Sequence, residues 1–133
     1  MDNSISRFKA REQGFILVFE KIFHSEPIEE IISNAEESRD LVVDSYALTL
    51  VNGVYANLSD IDAIIDSNLK KGWTVKRISK TSLAILRLAV FEMKYVDNVP
   101  DSVAINEAVE LAKKYTVDER GFINGVLGSV SKA

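Results

Sequence analysis

"SLAILRLAVFEMKY", residues 82–95, decides the fold class of this chain. Set on a 100° helical wheel, the stretch is apolar nearly all the way round, which marks a helix enclosed by other helices rather than one lying on a surface. Arg87 interrupts it, between Leu83 and Phe91. A buried guanidinium must be paired or must emerge at a groove, because an uncompensated buried charge is costly. Two readings follow: a structural pair with Glu12 as the carboxylate, or a groove-rim cation that meets a phosphate.

Around this central helix the rest of the chain is also helical. Only two prolines occur, there is no Gly/Ser-rich linker, and no alternating strand pattern persists. The periodicity predicts helices near residues 5–23, 27–38, 40–57, 60–70, 80–95, 102–115 and 118–131, an all-α chain of about seven helices. Pro27 suits a first helical turn, and Pro100 sits in a connection. The stretch "GWTVKRIS", residues 72–79, joins the fourth helix to the fifth, with Trp73 expected as a core anchor between two sub-bundles rather than a base-stacking platform. A length of 133 residues, 47 % of them hydrophobic, suits one domain with a sizeable core.

Composition excludes several chemistries. With no cysteine there is no disulfide framework, thiolate nucleophile or Cys-ligated zinc, and one histidine, His24, does not make a metal site. His24 is expected at the surface or capping a helix. No Gly-rich loop joins a strand to a helix, so no catalytic constellation, cofactor or metal is expected. Acidic pairs such as Glu29-Glu30 and Glu36-Glu37 read as a solvated face. The opening "MDNSISRFKAREQG" lacks the roughly 7–15-residue apolar core of a signal peptide, and no segment has the length of a membrane span, so the expected location is cytoplasmic.

The formal net charge of −4 hides a separation of signs. Residues 20–65 hold ten carboxylates against Lys21 and Arg39, whereas residues 66–94 hold seven cations (Lys70, Lys71, Lys76, Arg77, Lys80, Arg87, Lys94) against Asp66 and Glu92. A third zone, Arg7, Lys9 and Arg11, opens the chain. Net charge does not veto an anionic partner when cations are grouped in this way.

The first helix places Phe8, Phe15, Val18, Phe19 and Ile22 on one apolar face, with Arg11 and Glu12 on its margins. Cations in an opening turn oppose the helix dipole by roughly 0.3–1 kcal/mol each, so local stability does not ask for them. Phosphate oxygens would; the alternatives are surface solubility for Arg7 and Lys9 and a structural ion pair of Arg11 with Glu12. In "SVAINEAVELAKKY", residues 102–115, the core face falls on Ala104, Ile105, Ala108, Leu111, Ala112 and Tyr115. Glu110 is expected to pair with Lys114, and Asn106 and Glu107 are either solvated or touch a neighbour. In the last helix Phe122, Ile123, Val126 and Val130 are apolar, while Gly121, Asn124, Gly125 and Gly128 share the other side. Interior glycine costs about 1 kcal/mol relative to alanine, so three together imply that something approaches the backbone, either another helix or a ligand.

These residues carry a family resemblance. "RFKARE" near the start, "LAILRLAVFEM" in the centre, then "VPDSVAINEAVELAKKY" and "GFINGVLGSV", in that order, closely resemble the NusB family of bacterial transcription antitermination factors over essentially the whole chain. The resemblance implies two packed helical sub-bundles (about 1–57 and 58–133), no catalysis, and recognition of boxA RNA. It further implies a heterodimer with NusE, a small-subunit ribosomal protein, acting on RNA polymerase in ribosomal RNA transcription; the free chain is either monomer or homodimer. Carried over position by position, it assigns RNA contact to Arg7, Lys9, Arg11, Arg87, Tyr115, Asp118, Phe122 and Asn124, and places Phe19 near both partners. The chain departs from the pattern in having fewer N-terminal cations and in "YTVDERGFING", which is one residue short and lacks a Ser-x-Lys, so either Asp118 or Glu119 fills the acidic position. The competing function is a helical protein-interaction scaffold without direct RNA recognition.

Overall fold

The computed structural model describes residues 5–133. Among them are seven α-helices and no strand: α1 (Arg7–Ile22), α2 (Ile28–Ser38), α3 (Ser45–Ala56), α4 (Leu58–Ser67), α5 (Lys80–Tyr95), α6 (Asp101–Tyr115) and α7 (Arg120–Lys132). The all-α expectation holds, and so does the helix order. The starts of α1, α3 and α5 follow side-chain capping, which periodicity places only loosely. Ser6 accepts from the Lys9 N–H at 3.1 Å, Asp44 from that of Tyr46 at 2.9 Å and Ser79 from that of Ser82 at 3.1 Å, each satisfying an orphan donor of a first turn. Pro27 and Pro100 stand one residue before their helices, where each carbonyl accepts from the first turn. No described helix is long and apolar enough to cross a membrane.

As its pattern implies, α5 is the central element and packs against α1, α3, α4, α6 and α7. Ten of its residues are buried, from Ser82 to Glu92. One connected apolar core results, joining Leu17 and Val18 of α1, Leu50 and Val54 of α3, Ile61 and Ile65 of α4, Leu111 of α6, and Ile123 and Leu127 of α7.

Close approach of helices depends on glycines other than those the sequence pattern singles out. The ring of Phe91 lies so near Gly53 that a Cβ there would come within 3.0 Å of three ring carbons, and a Cβ on Gly14 would meet Leu88 Cδ1 at 3.2 Å. By contrast, apart from the adjacent residues and the helix's own backbone, nothing lies within 4 Å of a Cβ built on Gly121, Gly125 or Gly128. The expected helix against the α7 glycines is therefore absent within the described chain, and that face is open.

Trp73 also departs from expectation, being 50 % exposed instead of anchoring the core. Ile78 and Val75 fasten the α4–α5 connection, the first buried and the second packed on the core. Gly72 takes φ +92°, a left-handed turn that suits glycine. Arg77 Nη1 donates to the Gly72 carbonyl at 2.6 Å, and Asp66 Oδ1 accepts from the Val75 N–H at 2.8 Å. The turn is thus closed by its own polar groups, which leaves the indole facing outward.

Candidate nucleic-acid interface

The residues proposed to meet RNA fall into three neighbourhoods, the first being the opening of α1. Arg7 is exposed, its guanidinium 3.9 Å over the ring of Tyr46, a cation–π contact. The Lys9 side chain is 60 % exposed and its Nζ stands 3.5 Å from Glu12 Oε1. Arg11 differs from both, being 4 % exposed with its Nε 2.9 Å from each carboxylate oxygen of Glu92. Glu107 stands 3.7 Å from its Nη1, and the Tyr46 hydroxyl donates to Glu92 Oε2 at 2.5 Å. Burial, then the hydrogen bond to Glu92 and its charge, push the Tyr46 hydroxyl up to about 12, so it remains a donor. An ion pair for Arg11 was one of the two expectations, but its partners come from α5 and α6, not from Glu12.

Glu12 instead gathers α6. It accepts from Lys114 Nζ at 2.5 Å and from the Tyr115 hydroxyl at 2.7 Å, while Lys113, not Lys114, takes Glu110 at 3.1 Å. Tyr115 lies 4.8 Å from the ring of Phe15, which continues through Phe19 at 6.2 Å to Phe23 at 5.1 Å, an aromatic series along α1. Burial, with the Glu12 bond and charge, pushes the Tyr115 hydroxyl up to about 12. For Glu12, burial alone would raise the carboxyl, yet the Lys114 and Tyr115 hydrogen bonds and the charges of Lys114 and Lys9 outweigh it and hold it below the usual value of about 4.5. Because the folded-state value is the lower one, the unfolded chain takes up a proton first on acidification. The stabilisation is complete above the ordinary carboxylate range and is lost as pH falls through the folded value. Urea unfolding of wild type and Glu12→Gln at pH values from 7 to 3 should therefore give a stability gap that narrows with acidity. A gap constant with pH would show that Glu12 is not held ionised by this cluster.

Arg87 forms the second neighbourhood. Its Nε and Nη2 donate to the two carboxylate oxygens of Asp62 at 2.9 and 2.8 Å, so the expected Glu12 partner is replaced by an acid of α4. The pair stands in a groove of about 410 Å³ with Lys21, Lys76 and Lys80 around it. Arg87 is thus both paired and at a rim, combining two readings that looked exclusive.

The third neighbourhood is the start of α7. Glu119 is tied down, since both the Ser79 and the Ser82 hydroxyls donate to its Oε1 at 2.7 Å. Asp118 is exposed and has no hydrogen-bond or ion-pair partner among the described residues, and Asn124 is exposed as well. Phe122 is 37 % exposed and lines a groove of about 840 Å³ together with Trp73. Sequence reasoning missed Trp73, Arg77 and Lys70 as part of this wall. The available signal was the cluster of cations around a tryptophan between two helices.

Comparison with known proteins gives the frame for these surfaces. The family profile described as "NusB family" matches residues 8–132. Transcription antitermination protein NusB of Clostridium novyi is 41 % identical over 97 % of this chain and 100 % of its own length, and that of Acetivibrio thermocellus 46 % identical over 96 % and 90 %. Among solved structures, T. maritima NusB superposes with a TM-score of 0.85 at 32 % identity, over 97 % of this chain and 92 % of its own. A chain from antitermination factors NusB and NusE in complex with dsRNA superposes at 0.82 with 25 % identity, over 96 % and 98 %. The seven helices, their central α5 and the sequence along nearly all of them agree with one set of proteins, and this chain belongs to the NusB family.

Proposed function

We propose that this chain is a transcription antitermination factor that binds boxA-type RNA together with NusE, acting on RNA polymerase during ribosomal RNA transcription. The observation that carries the reading is the near-complete superposition on a chain of the NusB–NusE–dsRNA complex. The surface described above is consistent with it: exposed cations at the start of α1 beside a tyrosine, a rim arginine with three lysines, and a half-exposed phenylalanine at the start of α7. Single-stranded RNA is recognised by such combinations, with cations on phosphates and aromatic faces on unstacked bases.

Sizing mixtures of this chain, NusE and a labelled boxA RNA tests the reading, since a factor of this kind forms a ternary complex. A scaffold would bind NusE and leave the RNA free. The first neighbourhood gives a quantitative check. Arg7 and Lys9 are the exposed cations of the opening turn, whereas Arg11 is engaged inside. Each phosphate contact on a single strand contributes roughly −0.7 to the slope of log K against log salt. Arg7→Ala with Lys9→Ala should weaken RNA binding and flatten that slope by up to about 1.4, while NusE binding stays intact. An unchanged slope in the double variant would remove the opening of α1 from the RNA surface.

A further inference from the structure

We propose that the groove between the α4–α5 connection and α7 receives an unpaired nucleotide of the RNA, its base stacked on Trp73 and its phosphate held by Lys70 and Arg77. The proposal deepens the RNA-binding reading above and rests on it. Four features of the groove converge. Trp73 and Phe122 present half-exposed aromatic faces to one space of about 840 Å³, large enough for a nucleotide. Both residues stay partly in water, which the fold itself does not require. The floor is bare backbone at Gly121 and Gly125, where no atom beyond the adjacent residues and the helix's own backbone lies within 4 Å of a Cβ position. A flat ring can therefore approach α7 more closely than any side chain there would permit.

Charge decides the chemistry of the occupant. Lys70 and Arg77 line the groove, Lys71 and Lys76 stand on the same connection, and the Arg77 guanidinium lies 5.4 Å over the Trp73 ring. Two acids nearby are already engaged, Glu119 by the Ser79 and Ser82 hydroxyls and Asp66 by the Val75 N–H, while the exposed Asp118 does not line the groove. The site thus offers planar apolar walls under a cationic rim. An apolar protein helix would use the walls and leave the rim unmatched, and an acidic peptide would use the rim and leave the walls exposed. A nucleotide uses both, and stacking tolerates any base because every base has a π face.

Trp73 is the only tryptophan of the chain, so its fluorescence reports on this groove alone. The probes are a single-stranded boxA RNA, the same RNA annealed into a duplex, and NusE without RNA, each titrated into the full chain and repeated with NusE present. Saturable quenching by the single strand is expected, with little from the duplex and none from NusE. Trp73→Ala should weaken single-strand binding at least about fivefold, the low end of one lost stacking contact, and Trp73→Phe should restore most of it. NusE affinity and melting temperature should not change, because the indole lies outside the core. RNA binding that is reduced by Arg7→Ala/Lys9→Ala, yet neither quenches Trp73 nor responds to Trp73→Ala, would overturn the groove and leave the function standing. Quenching by NusE alone, with weaker NusE binding in Trp73→Ala, would overturn it in favour of a protein contact. Absence of RNA binding with and without NusE would overturn both.

Discussion

Arg11→Ala should cost about 3–5 kcal/mol of folding stability, far more than truncating its neighbours Arg7 or Lys9. The reason is what remains behind. Glu92 is 1 % exposed, and its carboxylate is held by Arg11 Nε at 2.9 Å to both oxygens and by the Tyr46 hydroxyl. Removing the guanidinium strands that charge inside α5 with one neutral donor, and Glu107 loses its counter-charge as well. Equilibrium unfolding in urea measures the loss. Removing the whole set should be much milder: Arg11→Met with Glu92→Leu and Tyr46→Phe exchanges an ionic cluster for apolar side chains, a replacement often close to neutral. If Arg11→Ala keeps wild-type stability but loses RNA, then Arg11 is a direct phosphate ligand and the pair with Glu92 is incidental.

Gly53→Ala is the second substitution expected to do substantial damage, although it adds only a methyl group and replaces the poorer helix former. Overpacking a filled core typically costs about 1–3 kcal/mol, and here the obstacle is the Phe91 ring, itself fixed in α5 and stacked on Tyr95 at 5.3 Å. The propensity gain of about 1 kcal/mol offsets only part of this. Gly125→Ala serves as the control, since the same gain applies and no atom lies within 4 Å to oppose it. Thermal unfolding should therefore move in opposite directions for the two variants. Shortening the ring in Gly53→Ala/Phe91→Leu should recover part of the loss, beyond what the two single changes would sum to. Equal melting temperatures for Gly53→Ala and wild type would mean that α3 and α5 can part without cost.

What was legible in the sequence and what was not divide on a physical line. Periodicity records which face of a helix avoids water, so the enclosed character of residues 82–95 and the apolar residues Ile123, Val126 and Val130 of α7 could be read directly, although the same pattern also put Phe122 on that face, where it is exposed. It does not record which element arrives on that face. Arg11 finds Glu92, 81 residues away, and Arg87 finds Asp62, 25 away, whereas a reading along the chain favours Glu12 for both. Glycine misled for a similar reason. Three on one side of α7 draw the eye, yet the packing function belongs to the isolated Gly14 and Gly53, whose neighbours Leu88 and Phe91 are distant in sequence. Trp73 shows the converse case, a large apolar residue whose turn is closed by Arg77 and Asp66 without it.

The separation of Arg11 from Glu92 also sets an order of events during synthesis. The first helix leaves the ribosome long before α5 does, and at roughly 5–20 residues per second the 81 residues that follow Arg11 up to and including Glu92 take on the order of 4–16 s to make. Until α5 is made, α1 lacks both the carboxylate that pairs Arg11 and one of the two helices it packs on most, α3 being the other. Closure of the buried pair is consequently a late step on the nascent chain, and it cannot begin before residue 92 has emerged.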